Sequence, residues 1–138
     1  MNTKKQGDVG LGVAIGWFVS VGYTVSVPLT DSQPYDLVVD REGRLSRVQV
    51  KTTTYKPKST YKVSLTVKGG NRSATGKIKR FSSSEVELLF IVTPESMYLI
   101  PSGRVAACNL TLSKDYDDCM VFTSPLSGGQ RAMERKSA

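Results

Sequence analysis

Three polar residues stand at a spacing suited to phosphoester chemistry: Asp36, Gln49 and Lys51, in the pattern D-x12-Q-x-K within the stretch PYDLVVDREGRLSRVQVK. A carboxylate oxygen binds a hard cation such as Mg2+, and an amide oxygen or a strand carbonyl beside it adds a second ligand. A lysine ammonium stabilises charge on a phosphate or orients water. Such a trio can serve phosphodiester hydrolysis if the chain brings it together.

The pattern around the trio has period two. It reads as strands at Asp36–Asp40 and Arg44–Thr53, joined by the turn Arg41-Glu42-Gly43, whose glycine can take the positive φ of a tight hairpin. Alternation puts Arg47, Gln49 and Lys51 on one side and Val48 and Val50 on the other, towards a core. Asp36, Val38 and Asp40 share a face of the preceding strand, so a short hairpin places the acid, the amide and the ammonium side by side.

With Gln49 where an acid is usual, this spacing resembles the PD-(D/E)XK nuclease signature. The wider context PYDLVVD…RVQVKT resembles the branch that contains intron-encoded homing endonucleases, as does the element Gly69-Gly70-Asn71-Arg72-Ser73. The resemblance covers roughly residues 3–122. It implies a restriction-endonuclease-like α/β fold, a mixed sheet of about five strands flanked by helices, and Mg2+-dependent, site-specific cleavage of double-stranded DNA. Carried over, Asp36 holds the metal, Gln49 supplies a ligand or positions water with the Val50 carbonyl nearby, and Lys51 contacts the scissile phosphate. One small domain carries one site and two strands need two, so the resemblance also implies a homo-oligomer, a dimer or tetramer.

At one position the chain departs from that pattern. The first helix of these nucleases opens with a motif like G-D-x-G-E, whereas this chain reads Gly7-Asp8-Val9-Gly10-Leu11. Leu11 holds the glutamate position and cannot bind a metal. Either Asp8 substitutes, or the chain binds DNA with weakened or absent cleavage, or the glutamate is dispensable. The resemblance therefore leaves two rivals in view: a non-catalytic sequence-specific DNA-binding protein, and a nuclease of the Holliday-junction-resolving kind.

Composition agrees with a nucleic-acid partner. The 138 residues carry a formal net charge of +7. From Arg47 to Arg80 the chain has basic residues and no acid at all, and a one-sign run of this kind favours a polyanion. The expected DNA contacts are Arg47, Lys56, Lys58, Lys62, Lys68, Asn71, Arg72, Lys77, Lys79 and Arg80, on a ribbon spanning 54–80. Aromatics are sparse there, which favours duplex over single-strand stacking. The absence of histidine removes Ser-His-Asp and Cys-His hydrolases and most zinc sites. Two cysteines, Cys108 and Cys119, make no disulfide framework and read as reduced thiols of a cytoplasmic protein.

The remaining elements position the site. Leu11, Ala14, Ile15, Phe18 and Val19 predict an amphipathic helix capped by Thr3 or Asp8 and ended by Gly22. Gly12, Gly16 and Ser20 form a small-residue strip suited to close packing on the sheet or on a second copy. The apolar run Val9–Val21, broken by glycines, suits neither a signal peptide nor a membrane span. Strands are expected at Tyr23–Leu29, Tyr61–Val67, Leu88–Val92 and Met97–Ile100, with edge strands at Asn109–Leu112 and Met120–Phe122. Short helical segments are expected near Phe81–Val86 and after Pro101. Asp115-Tyr116-Asp117-Asp118 reads as a solvated turn, not a calcium loop. One nuclease-like domain, 1–123, and a basic tail, 124–138, complete the plan.

Overall fold

The computed structural model describes residues 1–68, 78–79, 82–105 and 108–122, with backbone alone for 67–68 and 78–79. The expected tail at 124–138 and the GGNRS element lie outside the described residues.

Helix α1 runs Thr3–Ser20. Its cap is Asn2, one residue before the expected Thr3, and its side-chain oxygen accepts the Lys5 N–H at 2.9 Å. The other end closes as the glycine predicted. Gly22 takes φ 101, its N–H donates to the Val19 carbonyl at 3.1 Å, and the Tyr23 N–H donates to the Phe18 carbonyl at 2.9 Å, the paired bonds of a Schellman stop.

The buried face is turned from the one expected. Gly10, Ala14, Trp17 and Phe18 are buried, Leu11 and Ile15 are half-buried, and Val19 is exposed. The cause is close approach at Gly10, where an added Cβ would lie 1.9 Å from Thr52 Oγ1. The Thr52 side chain packs onto the bare helix backbone there, and Trp17 and Phe18, about two turns on, are buried on the same side. Gly12 and Gly16 face open space, so the small-residue strip does not pack on the sheet.

The main sheet has six strands in the order β1-β2-β3-β7-β8-β10. They are β1 (Thr24–Ser26), β2 (Leu37–Arg41), β3 (Arg44–Thr52), β7 (Leu88–Val92), β8 (Met97–Pro101) and β10 (Met120–Val121). Only β3 and β7 run parallel; the other pairs are antiparallel. Val–Leu–Ile–Phe content buried on both faces makes β7 the central strand its unbroken apolar run predicts. The expected Tyr23–Leu29 strand is cut to three residues, since Pro28 has no N–H to donate and leaves Val27 and Leu29 exposed on the sheet edge.

Each face of this sheet covers its own core. On one, α1 packs Ala14, Trp17 and Phe18 against Leu37, Val39, Val48 and Phe90. On the other, Leu89, Ile91, Tyr98 and Ile100 pack against Val63, Leu65, Leu110 and Leu112. This second layer replaces the single long strand expected over Tyr61–Val67. The segment divides into β4 (Lys62–Ser64), paired with β9 (Asn109–Thr111), and β5 (Val67–Lys68), paired with β6 (Ile78–Lys79). Between them Leu65 is fully buried and its N–H donates to the Cys108 carbonyl, which extends the β4–β9 pairing by one residue before the chain changes partner.

Around Ser82–Glu85 a turn stands in place of the expected helix, closed by the Glu85 N–H on the Ser82 carbonyl. Ser102–Arg104 and Lys114–Cys119 are 3₁₀ turns. Among the described residues no helix is long and apolar enough to cross a membrane.

Candidate active site

The hairpin β2–β3 is closed by the two-residue turn Glu42-Gly43, both with positive φ (54 and 82), the mirror-image turn whose twist suits a two-residue hairpin. It fixes the register Arg41↔Arg44 through Leu37↔Val48. One step further, Asp36 stands opposite Gln49, and the Asp36 N–H still donates to the Val48 carbonyl at 2.8 Å. Alternation then places Asp36, Gln49 and Lys51 on the sheet face away from α1. The structure sets Asp36 across from Gln49 and within electrostatic reach of Lys51, through a turn one residue shorter than the Arg41-Glu42-Gly43 expected.

At this point the Asp36 side chain takes over from the β2 backbone: its Oδ2 accepts the Val50 N–H at 2.8 Å. A strand residue points its N–H and C=O towards the same neighbour, so the Val50 carbonyl lies on the same strand edge as the carboxylate. The hydrogen bond fixes one carboxylate oxygen and leaves the other for a ligand.

The electrostatics are those of a partly dry pair. Burial raises the Asp36 carboxyl above the usual carboxylate range, against the opposing pull of the Val50 N–H and the Lys51 charge. Burial likewise lowers the Lys51 ammonium, and the Asp36 charge opposes that. Each charge is the other's partial compensation, without a contact ion pair. A desolvated acid and base side by side in one site is the pattern expected where groups are tuned for chemistry.

Gln49 is 6% exposed, and its Oε1 is buried with no hydrogen-bond partner. A buried orphan acceptor is costly, about 1–3 kcal/mol, and it stands across the register from a carboxylate. Among the described residues no three Asp, Glu, His or Cys side chains gather as a metal cluster. A cation here would rest on one carboxylate, the Gln49 amide oxygen and the Val50 carbonyl, an all-oxygen set suited to a hard ion. The orphaned Oε1 is the feature that fits such a ligand.

Leu11 lies on the other sheet face, where it packs against the core cluster under α1. Gly10, its neighbour on the helix, nonetheless touches Thr52, one residue beyond Lys51. Asp8 is exposed on the helix.

The basic run proves less free than its sequence. Arg47 is clamped by Glu87: its Nε lies 3.0 and 3.1 Å from the two carboxylate oxygens, its Nη2 also binds Glu87 and donates to the Ser84 carbonyl at 3.0 Å, and its backbone N–H donates to Glu87 at 2.7 Å. Lys56 meets Glu95 at 3.0 Å and lies over the Tyr61 ring. Acids from residues 85–95 thus fold back onto a segment that has none of its own. Lys58 and Lys62 are exposed. Asn71, Arg72, Lys77 and Arg80, and the side chains of Lys68 and Lys79, lie outside the described residues.

Two positioning residues gave no sequence signal. Glu87 ties β3 to the start of β7. Thr53, one of three consecutive threonines, is buried and donates its hydroxyl to the Lys62 carbonyl at 2.7 Å, tethering β4 to the strand that carries the site. Asp118 pairs with Arg104 at 2.7 Å, in keeping with a structural turn over 115–118.

Comparison with known proteins agrees with this geometry. The family model described as PD-(D/E)XK endonuclease matches residues 1–115. Among solved structures the chain is similar to a bacterial homing endonuclease, I-Ssp6803I, at 26% identity and a TM-score of 0.70, covering 83% of this chain and 80% of that one. No curated protein matches the chain.

Proposed function

Since the chain belongs to the PD-(D/E)XK endonuclease family, we propose that it is a homing-type, Mg2+-dependent endonuclease for double-stranded DNA whose rate is reduced by Leu11. The observation that carries this reading is the Asp36–Val50 hydrogen bond opposite the orphaned Gln49 oxygen, with Lys51 two residues on.

In the proposed mechanism Asp36, Gln49 and the Val50 carbonyl would hold the cation. When bound, Mg2+ neutralises phosphate charge and lowers the pKa of its water. The Val50 N–H holds one Asp36 oxygen still, so the other presents a fixed acceptor. Lys51, half-buried and short of counter-charge, gains most when a phosphate arrives, and it stabilises the negative charge that grows on the phosphoryl oxygens. The Gln49 NH2 group is left to orient water or a phosphate oxygen.

Leu11 supplies neither charge nor proton acceptor. Its loss of a carboxylate is the proposed cause of slow cleavage, and Leu11→Glu is expected to raise the rate. The likeness to a homing endonuclease supports a site-specific duplex target, and a two-strand cut by one-site domains requires a homo-oligomer, dimeric or tetrameric. Exposed Lys58 and Lys62, with the remaining cations of the 54–80 segment, are the proposed backbone contacts.

Incubation with supercoiled plasmid, a four-way junction and a random-sequence duplex library, with and without Mg2+, tests the reading. Mg2+-dependent linearisation at enriched sites supports it. Junction-selective cutting would make the chain a resolvase-like nuclease, and selective binding without cutting by the Leu11→Glu protein would make it a DNA-binding protein only.

A further inference from the structure

At the far end of the same hairpin, a groove of about 410 Å3 is lined by Tyr23, Arg41, Glu42, Arg44, Ser46 and Leu88. Its volume falls within the range of small-ligand sites. Ser46 is five residues from Lys51 along β3, roughly 17 Å, and alternation puts Arg44 and Ser46 on the opposite face of the sheet from Gln49 and Lys51. Nothing bound in this groove can be the group that meets the trio.

The groove concentrates unpaired positive charge. Arg41 and Arg44 are direct register partners across the turn, and like charges directly opposite in an antiparallel pair are unfavourable. The other described arginines are neutralised, Arg47 by Glu87 and Arg104 by Asp118. Among the described residues no carboxylate forms an ion pair with Arg41 or Arg44, Glu42 of the groove included. A repulsive pair with no acid against it among the described residues suits a negative partner.

Arg41 is also held in place beforehand. Its guanidinium lies over the Tyr23 ring, 5.4 Å from the centroid, and Tyr23 is set edge-on against Phe18 at 5.0 Å. Two planar five-donor forks and the Ser46 hydroxyl beside one concavity match a tetrahedral oxyanion better than a flat or apolar ligand.

We propose that Arg41, Arg44 and Ser46 form a phosphate-binding site separate from the cleavage face, filled either by a small phosphorylated molecule or by the backbone of a nucleic acid passing behind the sheet. Thermal unfolding in phosphate-free buffer at fixed ionic strength, titrated with pyrophosphate, compares the wild-type chain with the Arg41→Gln/Arg44→Gln double variant. Without ligand the variant is expected to unfold cooperatively at a Tm close to that of the wild type, because relief of the like-charge pair offsets the lost contact of Arg41 with Tyr23, and this also shows that it folds. Pyrophosphate is expected to raise the Tm of the wild type and not of the variant. Binding of a random-sequence 16-bp duplex across a salt series identifies the source. A slope of log K against log salt reduced by about 1–2 in the variant assigns the site to a nucleic-acid backbone. An unchanged slope with the pyrophosphate effect present assigns it to small phosphorylated ligands. Pyrophosphate stabilising both chains equally, or neither, with the slope unchanged, would overturn the proposal.

Discussion

Alanine at Gly10 should destabilise the fold, whereas alanine at Gly12 or Gly16 should stabilise it, although all three lie in one exposed-looking glycine-rich helix. A Cβ at Gly10 would meet Thr52 Oγ1 at 1.9 Å and Thr52 Cβ at 3.2 Å, while nothing stands within 4 Å of one at Gly12 or Gly16. Replacing a mid-helix glycine by alanine gains about 1 kcal/mol from backbone entropy alone. Overpacking costs about 1–3 kcal/mol, and a 1.9 Å approach to the Thr52 hydroxyl belongs at the upper end, because that buried side chain must turn away or α1 must shift on β3. The expected net is a loss of about 2 kcal/mol for Gly10→Ala and a gain of about 1 for each of the others. Urea unfolding followed by the fluorescence of Trp17, the one tryptophan of the chain, reads the difference as midpoint shifts at constant m. Thr52→Ala in the Gly10→Ala background should recover most of the loss, since it removes the clashing oxygen, itself a buried orphan. Equal stability of the Gly10 and Gly12 variants, or no recovery with Thr52→Ala, would refute the docking of the helix through Gly10.

Three further outcomes follow from the charges. Arg47 holds the Glu87 carboxyl below its usual range, so Glu87 stabilises the fold above the unfolded value of 4.5 and loses that effect as pH falls through the lower folded value. The stability gap between the wild type and Glu87→Gln should therefore be present at pH 7 and close on acidification below 4.5, and a gap independent of pH would contradict the pairing. Lys58→Ala and Lys62→Ala, at exposed cations, should each weaken duplex binding across all sequences and reduce the salt slope by about 1, as measured by fluorescence anisotropy at several salt concentrations. Arg47→Ala should instead lower the urea midpoint, because its guanidinium already ties Ser84 and Glu87 to β3.

The central hairpin was legible because its information is local. Alternation fixes which residues share a face, but the register rests on the turn: the three-residue turn Arg41-Glu42-Gly43 read from the sequence would pair Asp40 with Arg44, and the two-residue turn Glu42-Gly43 shifts the pairing by one, which sets Asp36 opposite Gln49. The Gly22 stop and the apolar β7 run were readable for the same reason. What escaped depends on contacts between distant residues. Trp17 looks like a flank of the predicted helix stripe, and only the descent of Gly10 onto Thr52 turns it inward, where its Nε1 donates to the Phe122 carbonyl at 3.1 Å. The Tyr61–Val67 pattern is a good strand by composition, yet the segment pairs first with β9 and then with β6, partners far apart in sequence. Net charge along the chain overstates the free cations, since Glu87 and Glu95 arrive from elsewhere to meet Arg47 and Lys56.

The most direct test measures single-turnover plasmid cleavage and duplex affinity together, for the Leu11→Glu chain with and without Lys51→Ala. With the carboxylate restored, Mg2+-dependent cutting should appear and be lost on Lys51→Ala, while the affinity for duplex changes little. Cleavage that survives Lys51→Ala, or an equal loss of binding and cutting, would contradict the role of the Asp36–Gln49–Lys51 site.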